Sequence, residues 1–169
     1  MSADRRPPRR PGIAGARRRN RIAGQFSPRL VEILESPAWR SLSLSAHRVI
    51  DRIDIELRRH AGHENGGLVV TFDQFGEYGI DRHSIAPALR EAEALGFVEI
   101  TERGRGGNAE FRSPHKFRLT FQATDHAEAT HEWRRITTMD DAKRIAMRAR
   151  HSPAHHQRAD ELEENIPFP

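Results

Sequence analysis

The chain has 169 residues, no cysteine and a formal net charge of +4 at neutral pH. The length suits one domain with tails, and the lack of cysteine excludes disulfides and thiolate metal sites, as is typical of a reducing cytoplasm. The sequence contains neither a run of roughly 20 apolar residues that could span a membrane nor the apolar stretch of a secretory signal. A cytoplasmic protein is therefore expected, with no membrane partner, and its positive charge favours an acidic polymer as partner.

Residues 1–25 are predicted to form a disordered basic arm. Their prolines and arginines cannot bury enough apolar surface to offset the entropy of folding. Such an arm can bind any polyanion or enter a minor groove. The arginines of this non-specific nucleic-acid arm are Arg5, Arg6, Arg9, Arg10, Arg17, Arg18, Arg19 and Arg21. The codon bias of a GC-rich genome would explain the same composition equally well.

Residues 26–67 are predicted to be mainly helical. A weak helix follows Ser27 and is interrupted by Pro37. A stronger helix begins near Ser45, which suits the N-cap position. Its apolar residues recur at helical spacing, and they are Ala46, Val49, Ile50, Ile53 and Leu57.

A short strand and a first helix are predicted next. The β-branched run Leu68-Val69-Val70 indicates the strand, and Thr71 can cap a helix that extends to about Tyr78. Gly79-Ile80 then predicts a tight turn, because glycine readily adopts the left-handed conformation.

A second helix is predicted from about Arg82 to Leu95, closed by Gly96. Pro87 conflicts with a helix interior, because proline lacks a backbone donor. Ser84 is therefore an alternative N-cap, which would bring Pro87 into the tolerant first turn.

Two strands are predicted around a glycine- and arginine-rich loop, residues 103–115. The first includes residues 97–101 and the second runs from Lys116 to Phe121. The order strand, helix, turn, helix, strand, loop, strand is that of a winged helix-turn-helix, which inserts one helix into the major groove of DNA. We therefore predict an α+β winged-helix domain over residues 26–121, with a short three-stranded antiparallel sheet.

Residues 122–150 are predicted to be an extension with a C-terminal helix, because Thr138-Met139-Asp140-Asp141 is similar to a capping box. Residues 151–169 are predicted to be a disordered tail. Two weak candidate metal clusters are His60, His63 and Glu64, and His151, His155 and His156. Metal sites need three or four converging ligands, so we expect no metal, no cofactor and no catalytic centre.

The second helix and the loop carry the candidate DNA contacts. Helix 84–95 is expected in the major groove, where arginine can donate two hydrogen bonds to guanine. The loop is expected on the backbone or in the minor groove. The candidate residues are Arg82, His83, Ser84, Ala86, Arg90, Arg103, Arg105, Arg112, His115 and Lys116. The alternative is a set of solvated helix charges beside an ordinary hairpin.

Two motif pairs resemble known families over roughly residues 45–121. Ser84-Ile85-Ala86-Pro87-Ala88-Leu89-Arg90, followed by Leu95-Gly96-Phe97-Val98-Glu99, resembles the winged helix-turn-helix domains of bacterial GntR-type and MarR-type regulators. Tyr78-Gly79-Ile80 and Lys116-Phe117-Arg118-Leu119-Thr120 resemble modules of plasmid and phage replication initiators. The resemblance implies that a helix of this kind reads the major groove.

We expect a DNA-binding protein without catalytic activity, whose partner is double-stranded DNA. Bacterial transcription regulation is the first hypothesis, and replication initiation is the second. A homodimer fits this function, because regulators often bind paired half-sites. The alternative from another class is a protein–protein interaction module with a non-specific basic arm.

Overall fold

The computed structural model describes residues 24–105 and 113–152. Six α-helices, one 3-10 helix and three strands lie in these two ranges. In chain order they are α1 (Val31–Glu35), α2 (Pro37–Arg40), α3 (Leu44–Arg59), β1 (Leu68–Val69), α4 (Phe72–Glu77), α5 (Arg82–Ala94), β2 (Val98–Glu102), β3 (Lys116–Leu119), the 3-10 helix (Glu132–Arg135) and α6 (Met139–His151). None of the helices in these ranges combines the length and the apolar character that a bilayer crossing requires.

Strand β3 is the centre of a small antiparallel sheet with the order β1-β3-β2. Leu68 of β1 pairs with Phe117 of β3, and Val98 of β2 pairs with Leu119 of β3. All four side chains are buried, so one face of the sheet contributes to the core. The predicted α+β class and the three-stranded antiparallel sheet are confirmed. The first strand of the loop hairpin begins at Val98, one residue later than predicted.

Helix α3 begins at Leu44, and its cap is Ser43, whose hydroxyl accepts a 3.2 Å hydrogen bond from the backbone N–H of Ala46. The prediction that Ser45 is the cap was therefore wrong. The reason is a distant contact: the carboxylate of Glu91 accepts from both the backbone N–H (2.8 Å) and the hydroxyl (2.7 Å) of Ser43.

Helices α4 and α5 are joined by the four residues 78–81. Thr71 caps α4 as predicted, and Gln74 completes a reciprocal capping box with it. In the connection, Gly79 has a φ of 87°, a conformation that favours glycine. Ile80 is buried beside it and anchors the turn to the core.

Helix α5 begins at Arg82, because the side chain of Asp81 accepts a 3.0 Å hydrogen bond from the backbone N–H of His83. The alternative start at Ser84 was wrong, since that residue lies inside the first turn. Pro87 is accommodated within the helix, although it removes the donor that would pair with the carbonyl of His83.

The segment 122–150 packs into the same core as the preceding helices and sheet. The ring of Trp133 stacks on that of Phe97, with centroids 6.3 Å apart and planes within 9°. Gly96 permits this approach, because a Cβ there would lie 2.7 Å from the backbone nitrogen of Trp133. The predicted extension is thus continuous with the core cluster.

Helix α6 packs along α5. Its buried face consists of small side chains, which let the two helices approach closely, and these are Ala142, Ala146 and Ala149. Thr138 caps the helix as predicted, accepting a 3.2 Å hydrogen bond from the backbone N–H of Asp141.

Candidate nucleic-acid interface

The first turn of α5 presents polar side chains to solvent. Arg82 and His83 are exposed, and Ser84 is half-buried. The guanidinium of Arg82 lies 2.9 Å from the carboxylate of Asp73, but both side chains are well exposed, at 64% and 73%. An ion pair of this kind contributes at most about 1 kcal/mol, so Arg82 can exchange this partner for another anion.

Arg82 and Arg105 line the same surface groove of about 450 Å³, which we call the Arg82–Arg105 groove. Arg82 comes from the start of α5, and Arg105 from the loop after β2. His115, from the far end of that loop, also lines the groove. The structure therefore brings together cations that are 23 residues apart in the sequence.

The two ends of loop 103–115 are tied together at its base. The backbone N–H of Gly104 donates to Nδ1 of His115 at 3.0 Å, and the N–H of Arg105 donates to the hydroxyl of Ser113 at 3.1 Å. Any Cβ at Gly104 would collide with the backbone of Ser113 and Pro114. The described ends of the loop, residues 103–105 and 113–115, thus leave the sheet side by side.

Two further predicted cations are already engaged in ion pairs. Arg103 donates to both carboxylate oxygens of Glu93, at 3.1 and 3.2 Å. Lys116 lies 2.6 Å from the carboxylate of Glu102. Both pairs are at least partly exposed, so they reduce the local positive charge without removing these cations from the surface.

Arg90 has a different role from the one predicted. Its Nε donates to the carbonyl of Ala149 at 3.0 Å, and its Nη2 donates to the carbonyl of Arg150 at 3.1 Å. These carbonyls lie at the end of α6, where a cation is favoured by unpaired carbonyl groups. We therefore withdraw Arg90 as a base-reading residue, because its guanidinium fastens α6 to α5.

A larger groove, of about 810 Å³, lies between α5, α6 and the base of the loop. We call it the α5–α6 groove. Its floor is mainly apolar and includes Phe72, Ala86, Leu89, Ile100 and Ile145. Its other lining residues include Arg103, Arg144 and Arg148. Ala86, predicted to approach a base, lies in this groove instead.

The arginines from α6 differ in their present partners. Arg144 donates a 2.6 Å hydrogen bond to Asp141, and this bond lowers the pKa of the Asp141 carboxyl group, aided by the hydroxyl of Thr138. The guanidinium of Arg148 makes no hydrogen bond or ion pair with any residue that the structure describes. Among the arginines of the groove wall, Arg148 is therefore the one most available to bind an anion.

The weak metal candidates do not converge in the described residues. His60 lies 3.1 Å from Glu64, whereas His63 lies 2.8 Å from Asp125. The pKa of Asp125 is lowered by hydrogen bonds from the backbone N–H of Glu64 and from His63. Residues 24–105 and 113–152 contain no group of three potential metal ligands. His155 and His156 lie outside these ranges.

Several predicted site residues fall outside the described part of the chain. They are Arg112 and the arm residues Arg5, Arg6, Arg9, Arg10, Arg17, Arg18, Arg19 and Arg21. Within the described part, sequence reasoning missed Asp73, Arg144 and Arg148. Asp73 could have been found from the short spacing of α4 and α5, whereas the two arginines required knowledge of how α6 packs.

No protein-family model, curated protein or solved structure matches this chain. Evidence for the function therefore comes from the two grooves and the side chains that line them.

Proposed function

We propose that the protein binds double-stranded DNA as a winged helix-turn-helix, with the first turn of α5 in the major groove and loop 103–115 on the backbone. The observation that carries this proposal is the shared groove of Arg82 and Arg105. A cation from a helix start and a cation from a hairpin then face one polyanion together. Transcription regulation is the role that we assign first.

The chemistry of the α5 turn suits contact with base edges and phosphates. Arg82 can donate two parallel hydrogen bonds to guanine O6 and N7, and Ser84 and His83 can donate to bases or phosphates. The start of a helix also carries a partial positive charge, which favours a phosphate. The carboxylates of Asp73 and Asp81 weaken this positive potential. Binding of DNA at this turn must therefore depend on short-range hydrogen bonds.

The hairpin and the arm supply contacts that are independent of sequence. Arg105 is exposed at the hairpin base, and Lys116 and Arg103 can exchange their exposed carboxylate partners for phosphates. The eight arginines in residues 1–25 add non-specific attraction by releasing counterions from the duplex. Specificity would then reside in α5, and much of the affinity in the arm.

A matched pair of arginine variants tests this division of roles. Arg82→Ala should weaken binding to a preferred duplex about fivefold, which corresponds to about 1 kcal/mol, and should relax specificity at the base pair that Arg82 contacts. The control is Arg59→Ala, since Arg59 is 62% exposed on α3 and lines neither groove. Equal effects of the two variants in fluorescence anisotropy would contradict a local contact at Arg82.

A second candidate, a protein-interaction module, is favoured by apolar side chains that precede and form α1. Phe26, Leu30, Val31 and Leu34 are between 42% and 66% exposed. Exposed apolar side chains that follow one another in this way are typical of surfaces that contact proteins. Sedimentation of the full chain over a range of concentrations tests this, because self-association through the segment would be weakened by Val31→Ser.

A further inference from the structure

We propose that residues 153–169 of this chain occupy the α5–α6 groove and compete there with DNA. The segment begins directly after Ser152, which itself lines the groove. The occupant is therefore delivered to the site by the chain. The docking itself does not depend on the proposed function, whereas the competition with DNA rests on it.

The chemistry of the segment complements the groove. Residues 153–169 carry four carboxylates, at Asp160, Glu161, Glu163 and Glu164, against one arginine, Arg158. The groove wall carries Arg103, Arg144 and Arg148, against the single carboxylate of Glu93. Opposite charges in a groove with an apolar floor attract more strongly than in open water.

The apolar residues of the segment match the groove floor. The segment has one apolar residue between its carboxylates, Leu162, and two after them, Ile166 and Phe168. The floor offers Leu89, Ile145 and other apolar side chains to receive them. Burial of apolar area at such a site contributes roughly 25 cal/mol per Å² before the cost of ordering the segment.

The connection is long enough for the segment to turn back. Leu162 lies ten positions after Ser152, and an extended chain spans up to about 3.3 Å per residue. The reach of about 33 Å exceeds the radius of gyration of a domain of this size, about 14 Å. Leu162 can therefore reach any part of the groove.

The position of the groove explains why an occupant would affect DNA binding. Phe72, Gly104 and His115 line both this groove and the Arg82–Arg105 groove. A carboxylate-rich segment there would repel phosphates and crowd the base of the hairpin. The segment would act as an internal competitor whose effect weakens as salt increases.

The decisive experiment uses the full chain, whose lack of cysteine makes a single label site available. A nitroxide is attached through Pro169→Cys, and the backbone amide signals of isotope-labelled protein are recorded before and after reduction of the nitroxide. We expect Leu89 and Ile145 to lose most of their intensity, and to recover it on reduction. The experiment contains no DNA, so its outcome is separate from that of the proposed function.

Two sets of variants establish the cause of the broadening. Arg148→Gln should reduce the broadening. Neutralisation of all four carboxylates in one variant should abolish the broadening, and its substitutions are Asp160→Asn, Glu161→Gln, Glu163→Gln and Glu164→Gln. The matched control is Lys143→Gln, because Lys143 is exposed on the same helix but does not line the groove. Weaker broadening in Arg148→Gln but not in Lys143→Gln supports docking by charge. Equally weakened broadening in these two variants overturns it.

Three results would overturn the docking proposal. The first is no broadening at the groove, and the second is broadening confined to the arginine arm, which would make the arm the partner of the acidic segment. The third is equal broadening when the nitroxide is on one copy and the isotope on another, which would make a second copy the occupant. If docking is observed, neutralising the four carboxylates should raise affinity for duplex DNA severalfold, and unchanged affinity would overturn the competition.

Discussion

The carboxylate of Glu91 on α5 accepts a 2.6 Å hydrogen bond from Arg150 at the end of α6. Glu91 is fully buried, whereas Arg150 remains 36% exposed. The same carboxylate holds Ser43 at the start of α3, so one buried charge joins three helices. Next to it, Arg90 of α5 donates hydrogen bonds to the carbonyls of Ala149 and Arg150 near the end of α6. Each of the two helices therefore supplies donors to the other. This cluster fixes α6 against α5 and thereby forms the α5–α6 groove.

Removal of Arg150 should destabilise the protein without unfolding it. Arg150→Ala leaves the buried Glu91 carboxylate with its two Ser43 donors but without its charged partner, and the loss of a hydrogen bond between charged groups costs roughly 1.5–3 kcal/mol. Urea unfolding should show the loss as a lower midpoint with an unchanged slope. Lys143→Ala is the control, because it removes an exposed cation from the same helix. Equal midpoints for the two variants would contradict a stabilising role of the Glu91–Arg150 pair.

A methyl group at Gly96 should be strongly destabilising. Gly96 has a φ of 79°, and a Cβ would lie 2.8 Å from the backbone carbonyl carbon of Glu132. Strain and displacement of the 3-10 helix should together cost about 2 kcal/mol or more. Gly76→Ala is the control, since a Cβ there meets nothing within 4 Å and alanine favours the helix. The midpoint temperature of thermal unfolding should therefore fall for Gly96→Ala and rise for Gly76→Ala.

Neutralising Asp73 should strengthen DNA binding. Asp73→Asn removes the carboxylate that pairs with Arg82 and would face the phosphates. We expect a gain in affinity of about fivefold at low salt, or about 1 kcal/mol, which diminishes as salt screens the charge. Glu128→Gln makes the same charge change at an exposed residue outside both grooves. A similar gain from both variants would indicate a net-charge effect only.

Acidification should destabilise the fold partly through His47. Burial lowers the pKa of His47, and the charge of Arg29 lowers it further, against the opposing effects of Asp51 and Glu91. Because the unfolded state binds a proton more readily, stability is complete above the unfolded pKa of about 6.5 and is lost as the pH falls toward and through the folded pKa.

Urea unfolding on both sides of about pH 6.5 measures this dependence. His47→Gln should reduce the loss of stability on acidification, whereas His126→Gln, at an exposed residue, should leave it unchanged. His131 will retain part of the dependence, since burial also lowers its pKa. An unaltered pH dependence in His47→Gln would argue against the burial effect.

The elements between residues 68 and 119 could be predicted from local patterns, because their signals are local. The Thr71 cap, the Gly79 turn and the alternation in β3 each follow from residues within one or two turns of the chain. The fold class and the antiparallel sheet were confirmed for the same reason. The winged-helix assignment remains a prediction.

The roles of individual side chains were harder to predict, because distant elements decide them. Ser43 rather than Ser45 caps α3 because Glu91, which is 48 residues away, binds it. Arg90 likewise binds backbone carbonyls of α6 rather than a ligand, because α6, which is distant in the sequence, packs beside it. Small alanines on α6 gave no strong hydrophobic signal, although they determine where this helix packs.

The measurement that tests DNA binding most directly is selection from a random duplex library with residues 22–169 at near-physiological salt. Removing the arm eliminates its non-specific attraction. The account predicts that one sequence motif is enriched, and that Arg82→Ala loses discrimination at one position of that motif. Retention of no duplex, or retention of all duplexes alike, would contradict sequence reading by α5.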